Sequence, residues 1–372
     1  MEAKNVVGAQ TKELKKFKYI DALRGYAIIA VVLNHSSQFV APENPILKLV
    51  MSAGGLGVPL FYIASAITLC ASWDFRGDHE SNPHRNFFIR RFFRIAPMFY
   101  LAIVFYLIFY GFQPRYWAPS GIEWWHVLLT TFFLHGIHPE AINSVVPGGW
   151  SIAVEMCFYV FLPSLMFYLN TLKRLVIFIW FSICLYIVQK NLLLVFLAPL
   201  FSIESQHIVY HFVNFNFFSQ LPVFGLGLLV YSLLKNPGNF NWRTASLIFL
   251  VLFFVLLFLR WFGLIGNYLF SAYFLALLAL FLALWPKQFL VNGMAITTGR
   301  ISFSMYLVHI AVLEFCTLFG FSAIADGKDI VSLLHFILVF FLTAVLSYVF
   351  YMFVEKPGID AGRRLIARYE GA

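Results

Sequence analysis

Long apolar runs alternate with short polar joints from residue 19 to residue 354. Ten of them are long enough to cross a bilayer: 19–41, 55–73, 92–112, 150–169, 174–192, 215–234, 244–262, 267–285, 301–320 and 331–354. Each comes close to the roughly 20 residues a helix needs to span the hydrocarbon core. The pattern predicts an all-α polytopic membrane protein, a bundle of about ten transmembrane helices. One further run, 124–137 (WWHVLLTTFFLHGI), is too short to cross and is predicted to be re-entrant or to lie at the outer surface. On this reading residues 1–18 are a cytoplasmic tail, 19–357 the transmembrane domain and 358–372 a second cytoplasmic tail.

The basic residues follow the same division. With the lysine-rich start in the cytoplasm, Arg76, Arg85, Arg90, Arg91, Lys173, Arg174, Lys235, Arg243, Lys287, Arg300, Lys356, Arg363 and Arg364 all fall on that side, as the positive-inside rule requires. An even number of spans returns the C-terminus there. The start, MEAKNVVGAQTKELKKFK, shows no small-residue cleavage site, so the first run is read as a retained span. The formal charge of +9 resides in these loops and points to membrane lipids rather than nucleic acid. Of 372 residues, 61% are hydrophobic and 12% charged, against roughly 25% charged in an average soluble domain. No soluble catalytic domain has room to exist, and any chemistry must come from helices and loops. Cys70, Cys157, Cys184 and Cys316 lie in or beside apolar runs without CxxC or CxxxxH spacing, which suggests neither a disulfide framework nor a metal site.

Against that background Arg24 and His35, inside the first run, stand out. An ionisable side chain in a lipid-spanning segment is costly and faces the protein interior when it is retained for function. Eleven residues at about 100° each bring His35 back to within roughly 20° of Arg24, about 16 Å further along the axis. The alternative is an arginine that snorkels to the headgroups above a histidine satisfied in the core. In HRNFFIRRFFRIAPMFY, Arg90 and Arg94 are four apart and Arg91 and Arg94 three apart, so a helix here points guanidiniums at one spot. Such groups match phosphate oxygens bidentately and would suit a phosphorylated cytosolic cofactor, although a positive-inside anchor has the same spacing. VVPGGWSIAVEMCFYVFLP places Trp150 at the membrane surface, where an interfacial belt residue is also expected, and Glu155 inside the span, where a carboxylate needs a partner or a proton. Tyr306 and His309 are three apart on one face of ISFSMYLVHIAVLEF, with a hydrogen-bonded core histidine as the plain alternative. Glu355-Lys356-Pro357 closes the last span, where a helix stop is expected.

Taken in order, these segments resemble the acyltransferase 3 family of integral-membrane O-acyltransferases, from Tyr19 to about Pro357. The resemblance rests on D-x-L-R-G with Arg24 ten intervening residues before His35, GGLGVPLFYIASA at 54–66, R-I-x-P at 94–97, WSIAVEMCFY at 150–159, LPVFGLGLLVY, ISFSMYLVH and the final E-K-P. Two positions depart from it: Pro59 stands where many members carry aspartate, and Ala66 where they carry glycine. No esterase-like domain of the kind some members carry after the membrane part is expected. The resemblance implies transfer of an acyl group, commonly acetyl, from cytosolic acyl-CoA (acetyl-CoA) to a hydroxyl of a carbohydrate or lipid-linked glycan at the extracytoplasmic side of a bacterial plasma (inner) membrane, with no metal. It implies His35 as catalytic base with Arg24 its partner, Arg90, Arg91 and Arg94 as the donor-binding group, Trp150 and Glu155 on the acceptor side, and Tyr306 and His309 lining the cavity. A transporter or flippase, or a non-catalytic protein of the same fold, would also hold buried charges. No paired broken segments are evident, and a one-sided arginine group suits a cofactor better than a two-sided carrier.

Overall fold

The computed structural model describes residues 2–77, 79–235, 241–320 and 329–371, with side chains described from residue 18 onward. Among the described residues the regular structure is all helical, with no strand. In chain order the helices are α1 (Glu2–Phe39), α2 (Pro45–Ser52), α3 (Gly57–Gly77), α4 (Pro83–Tyr110), α5 (Trp124–Thr131), α6 (Trp150–Tyr168), α7 (Leu172–Leu197), α8 (Gln206–Phe215), α9 (Phe217–Lys235), α10 (Trp242–Trp261), α11 (Asn267–Leu284), α12 (Gly293–Arg300), α13 (Ser302–Leu318), α14 (Asp329–Phe350) and α15 (Lys356–Glu370). Among the described residues eight helical runs are long and apolar enough to cross a membrane, and α12 with α13, bent by 78°, makes a ninth if the pair is one span. α1 is not among these; it carries Asp21, Arg24, Asn34 and His35 in the stretch where the sequence places the first of ten spans. The chain is an all-α polytopic membrane protein. α5 has eight residues, about 12 Å of helix, so the run at 124–137 does not cross as a helix.

The described residues form two compact units. In the first, residues 1–68, 230–257 and 267–348, α1 packs against α11, α12, α13 and the turn before α3. Its closest approach is to α12, where both helices present glycine. A Cβ on Gly25 would strike the carbonyl of Ala295, and one on Gly299 would strike the carbonyl of Asp21. Small residues are how membrane helices bring their backbones together. An Asp21–Arg300 ion pair at 3.6 Å spans the same crossing. Because Gly25 must face α12, the rotation of α1 is set, and with it the directions of Arg24 and His35.

The second unit comprises residues 69–229, 258–266 and 349–372. α4 starts where Asn82 Oδ1 accepts from the Arg85 N–H at 3.0 Å, with Pro83 in the first turn, a start that both residue types favour. α15 runs beside α4: a Cβ on Gly358 would meet the Pro97 ring and the Phe93 carbonyl, and one on Gly362 would meet the Phe93 side chain. At its end the Glu370 carboxylate accepts from the Ser81 N–H (2.9 Å), the Ser81 hydroxyl (2.8 Å) and Asn86 Nδ2 (2.7 Å). The Ser81 N–H and then Asn86 hold this carboxyl down at about 2. A π-helical turn, Tyr351–Glu355, links α14 to α15 and buries Glu355. The four cysteines form no disulfide, and Cys184 is exposed.

Candidate active site

The candidate residues fall into two groups, one in each unit. In the first unit, His309 on α13 is fully buried. Its Nδ1 lies 2.7 Å from the carbonyl oxygen of Tyr306, and its Nε2 lies 3.0 Å from His35 Nδ1. A carbonyl only accepts, so the His309 proton is on Nδ1. In the neutral ring Nε2 then carries a lone pair and must accept from His35 Nδ1–H. That leaves His35 Nε2 without a hydrogen, the form a general base requires. His35 is half-buried, and the Tyr306 ring stands 5.7 Å from that of His309 with Phe61 edge-on to it at 6.2 Å. From the next position of α1, Ser36 Oγ and His335 Nδ1 are 2.8 Å apart, which ties α14 to the same turn.

Arg24 points to α3, where its Nη2 donates to Thr68 Oγ1 at 3.3 Å. The Thr68 hydroxyl spends its own proton on the Ala64 carbonyl at 2.7 Å, so its oxygen is left to accept from the guanidinium. Thr68 was not singled out in the sequence. Its only signal there is a polar residue three positions after Ser65 in an apolar run.

In the second unit the arginines do not share one target. Arg90 is engaged by Glu80, Nη1 to Oε1 at 2.6 Å, with both side chains largely out of solvent. Arg91 is buried, its guanidinium 5.6 Å above the Phe87 ring and 5.9 Å from the Tyr159 ring. Tyr159, buried on α6, donates to Glu155 Oε1 at 2.7 Å and lies in the field of Arg91 and Arg94 together. Glu155 therefore belongs with the arginines. Trp150, assigned with it to the acceptor side by the resemblance, stacks on Phe215 at 4.2 Å. Residues five apart on a helix are about 140° apart around it, so one turn of α6 serves two surroundings. Arg76, at the end of α3, lies close enough to Arg90, Glu80 and Arg363 to feel all three electrostatically.

Ahead of Trp150, His135 is buried and its Nε2–H donates to the Gly149 carbonyl at 3.0 Å. Burial pushes this imidazole down to about 4, so it stays neutral and holds the turn that starts α6. Among the described residues no three His, Cys, Asp or Glu side chains are grouped as metal ligands.

The acyltransferase domain family matches residues 17–352. A protein named as an acetyltransferase in Acidianus two-tailed virus is 24% identical over 313 residues, covering 81% of this chain and 84% of its own. One named as an O-acetyltransferase in Staphylococcus aureus (strain COL) is 24% identical over 386 residues, 92% of this chain but 58% of its own length, so the chain spans little more than half of that relative. The peptidoglycan O-acetyltransferase of Listeria monocytogenes is 28% identical over 172 residues, 42% of this chain and 25% of its own. No solved structure matches the chain.

Proposed function

The chain belongs to the acyltransferase domain family, and from that premise we propose that it is a membrane O-acetyltransferase that moves the acetyl group of acetyl-CoA to a hydroxyl of a carbohydrate or lipid-linked glycan on the extracytoplasmic side. The observation that carries the reading is the bond from His35 Nδ1 to His309 Nε2, which leaves His35 Nε2 to take a proton. A hydroxyl is a poor nucleophile until a base removes its hydrogen, and neutral imidazole is suited to that near neutral pH. In the proposed step His35 Nε2 takes the hydroxyl proton as the oxygen attacks the thioester carbonyl. The C–S bond then breaks, and the imidazolium returns the proton to the departing thiolate. Ester and free thiol are the products.

The oxyanion formed on the way needs a donor within about 3 Å. Arg24 lies about 16 Å along α1 from His35, too far for a guanidinium to reach a carbonyl held there, which leaves Tyr306 as the nearer donor and gives Arg24 the donor's arm to hold. Arg91 and Arg94, backed by Tyr159 and Glu155, are assigned to the donor's phosphates. The name of the Listeria relative supports a polysaccharide acceptor. The test is incubation of membranes with radiolabelled acetyl-CoA. Label is expected to pass to a glycan fraction with the wild-type protein and to be lost with His35→Ala at equal abundance. Label that stays on the protein in stoichiometric amount without acceptor, and disappears in His35→Ala, would replace direct transfer by an acyl-histidine intermediate. Undiminished transfer by His35→Ala would remove His35 from the chemistry.

A further inference from the structure

In the second unit a cavity of 380 Å³ opens where the end of α3, the start of α4 and the end of α6 meet. Trp73, Asp74, His84, Pro163, Met166 and Tyr168 are among the residues that line it. Its size lies within the range of small-molecule sites, roughly 300–1,000 Å³. The Trp73 and His84 rings stand almost perpendicular, 4.9 Å apart at 85°, so a flat ligand stacked on one would meet the edge of the other. Asp74 adds a carboxylate, and among the described residues no lysine or arginine lines the cavity. Aromatic faces and an acceptor, without a cationic donor, suit a flat base bearing an amino group better than a phosphate.

The phosphate-binding chemistry lies next door. The Phe87 ring packs edge-on to Trp73 at 5.5 Å and carries the Arg91 guanidinium over it at 5.6 Å. One phenyl ring therefore separates an aromatic seat from a buried arginine, in the order in which a nucleotide carries its base and its phosphates. We propose that this cavity seats the purine base of the donor's nucleotide, with Trp73 stacking on its face and Asp74 accepting from its exocyclic amine, while the phosphates lie toward Arg91. The assignment rests on the reading of acetyl-CoA as donor.

Equilibrium binding of two radiolabelled donors to the purified protein in lipid nanodiscs separates this seat from the rest of the site. Acetyl-CoA carries the nucleotide, and S-acetyl-phosphopantetheine lacks it. Loss of one base–aromatic stack weakens binding by roughly tenfold or more, so Trp73→Ala should raise the dissociation constant for acetyl-CoA by about that factor and leave that for acetyl-phosphopantetheine unchanged. Trp73→Phe, which keeps a ring, should recover most of the loss, and Asp74→Asn should weaken acetyl-CoA alone. Equal weakening of both donors by Trp73→Ala, or of neither, overturns the base seat while the proposed function stands. Failure of the wild-type protein to bind either donor overturns the function and the seat together.

Discussion

A neutral imidazole takes a proton only through the nitrogen that carries no hydrogen, so the hydrogen-bond partner of His35 decides which edge of the ring can act. Here His309 accepts from Nδ1, and the separation of packing from proton placement can be tested by substitution. His309→Gln keeps an acceptor near the position of Nε2 but packs less well; His309→Phe fills the space and accepts nothing. If the acceptor matters, His309→Phe should lose about 10²-fold or more in kcat with KM little changed, on the scale of general-base catalysis, and His309→Gln should retain most of the turnover. The reverse order would make His309 a packing residue. For Arg24, lysine keeps the charge but not the planar fork that meets Thr68 Oγ1, so Arg24→Lys should lose most activity at equal abundance in the membrane; near-normal turnover would reduce Arg24 to a positive-inside residue. Arg24 and His35 were legible in the sequence because charge inside an apolar run is conspicuous and their spacing is local. Thr68 and Tyr159 were not, because an ordinary-looking polar residue becomes a partner only through contacts 44 residues away for Thr68 and across two helices for Tyr159.

Helices place these groups, and here the sequence was less informative. A pattern of apolar runs shows how long each element is, but not that Gly25 and Gly299 let α1 and α12 meet backbone to backbone, nor that the chain turns by 78° between α12 and α13. Residues 358–372, taken from the sequence as a tail, contain the α15 helix beside α4; the glycines at 358 and 362, four apart, were the available signal. Helix propensity alone favours Gly358→Ala by about 1 kcal/mol, whereas overpacking costs about 1–3 kcal/mol. The obstacle includes the Phe93 carbonyl, which cannot swing aside, so destabilisation should win and Gly358→Ala should lower Tm. An unchanged or higher Tm would mean that α15 is not docked along α4. The Glu370 contact makes a second, pH-dependent prediction. Its folded carboxyl is depressed to about 2, so the contribution is present above the unfolded value of about 4.3 and is lost only as pH falls through about 2. Amide protection in α15, corrected for intrinsic exchange, should be alike at pH 7 and pH 5, and lower at both in Glu370→Ala.

At the scale of the molecule the proposed transfer needs a donor from one face and an acceptor from the other, and the chain's topology must supply both. The spans α4 and α6 are joined by residues 111–149, whose longest helix is the eight-residue α5. A helix needs roughly 20 residues to cross, so α5 does not reverse the count, and residues 113–149 should lie on the face opposite 79–82. The residues after Glu355 contact Ser81 and Asn86 through Glu370 and should share the face of 79–82. If α1 crosses a core of about 30 Å, as the sequence predicts, His35, about 16 Å beyond Arg24 along it, would stand near mid-membrane, within reach of a long thioester arm from one face and of a hydroxyl from the other. Single cysteines in a background with Cys70, Cys157, Cys184 and Cys316 replaced decide it: Ser120→Cys should react with an impermeant maleimide added outside intact cells, whereas Ser81→Cys and Gly371→Cys should react only once the membrane is opened. Labelling of Ser120→Cys only after opening would place the 113–149 segment with the arginines, and the acceptor would then have to enter from the donor's own side.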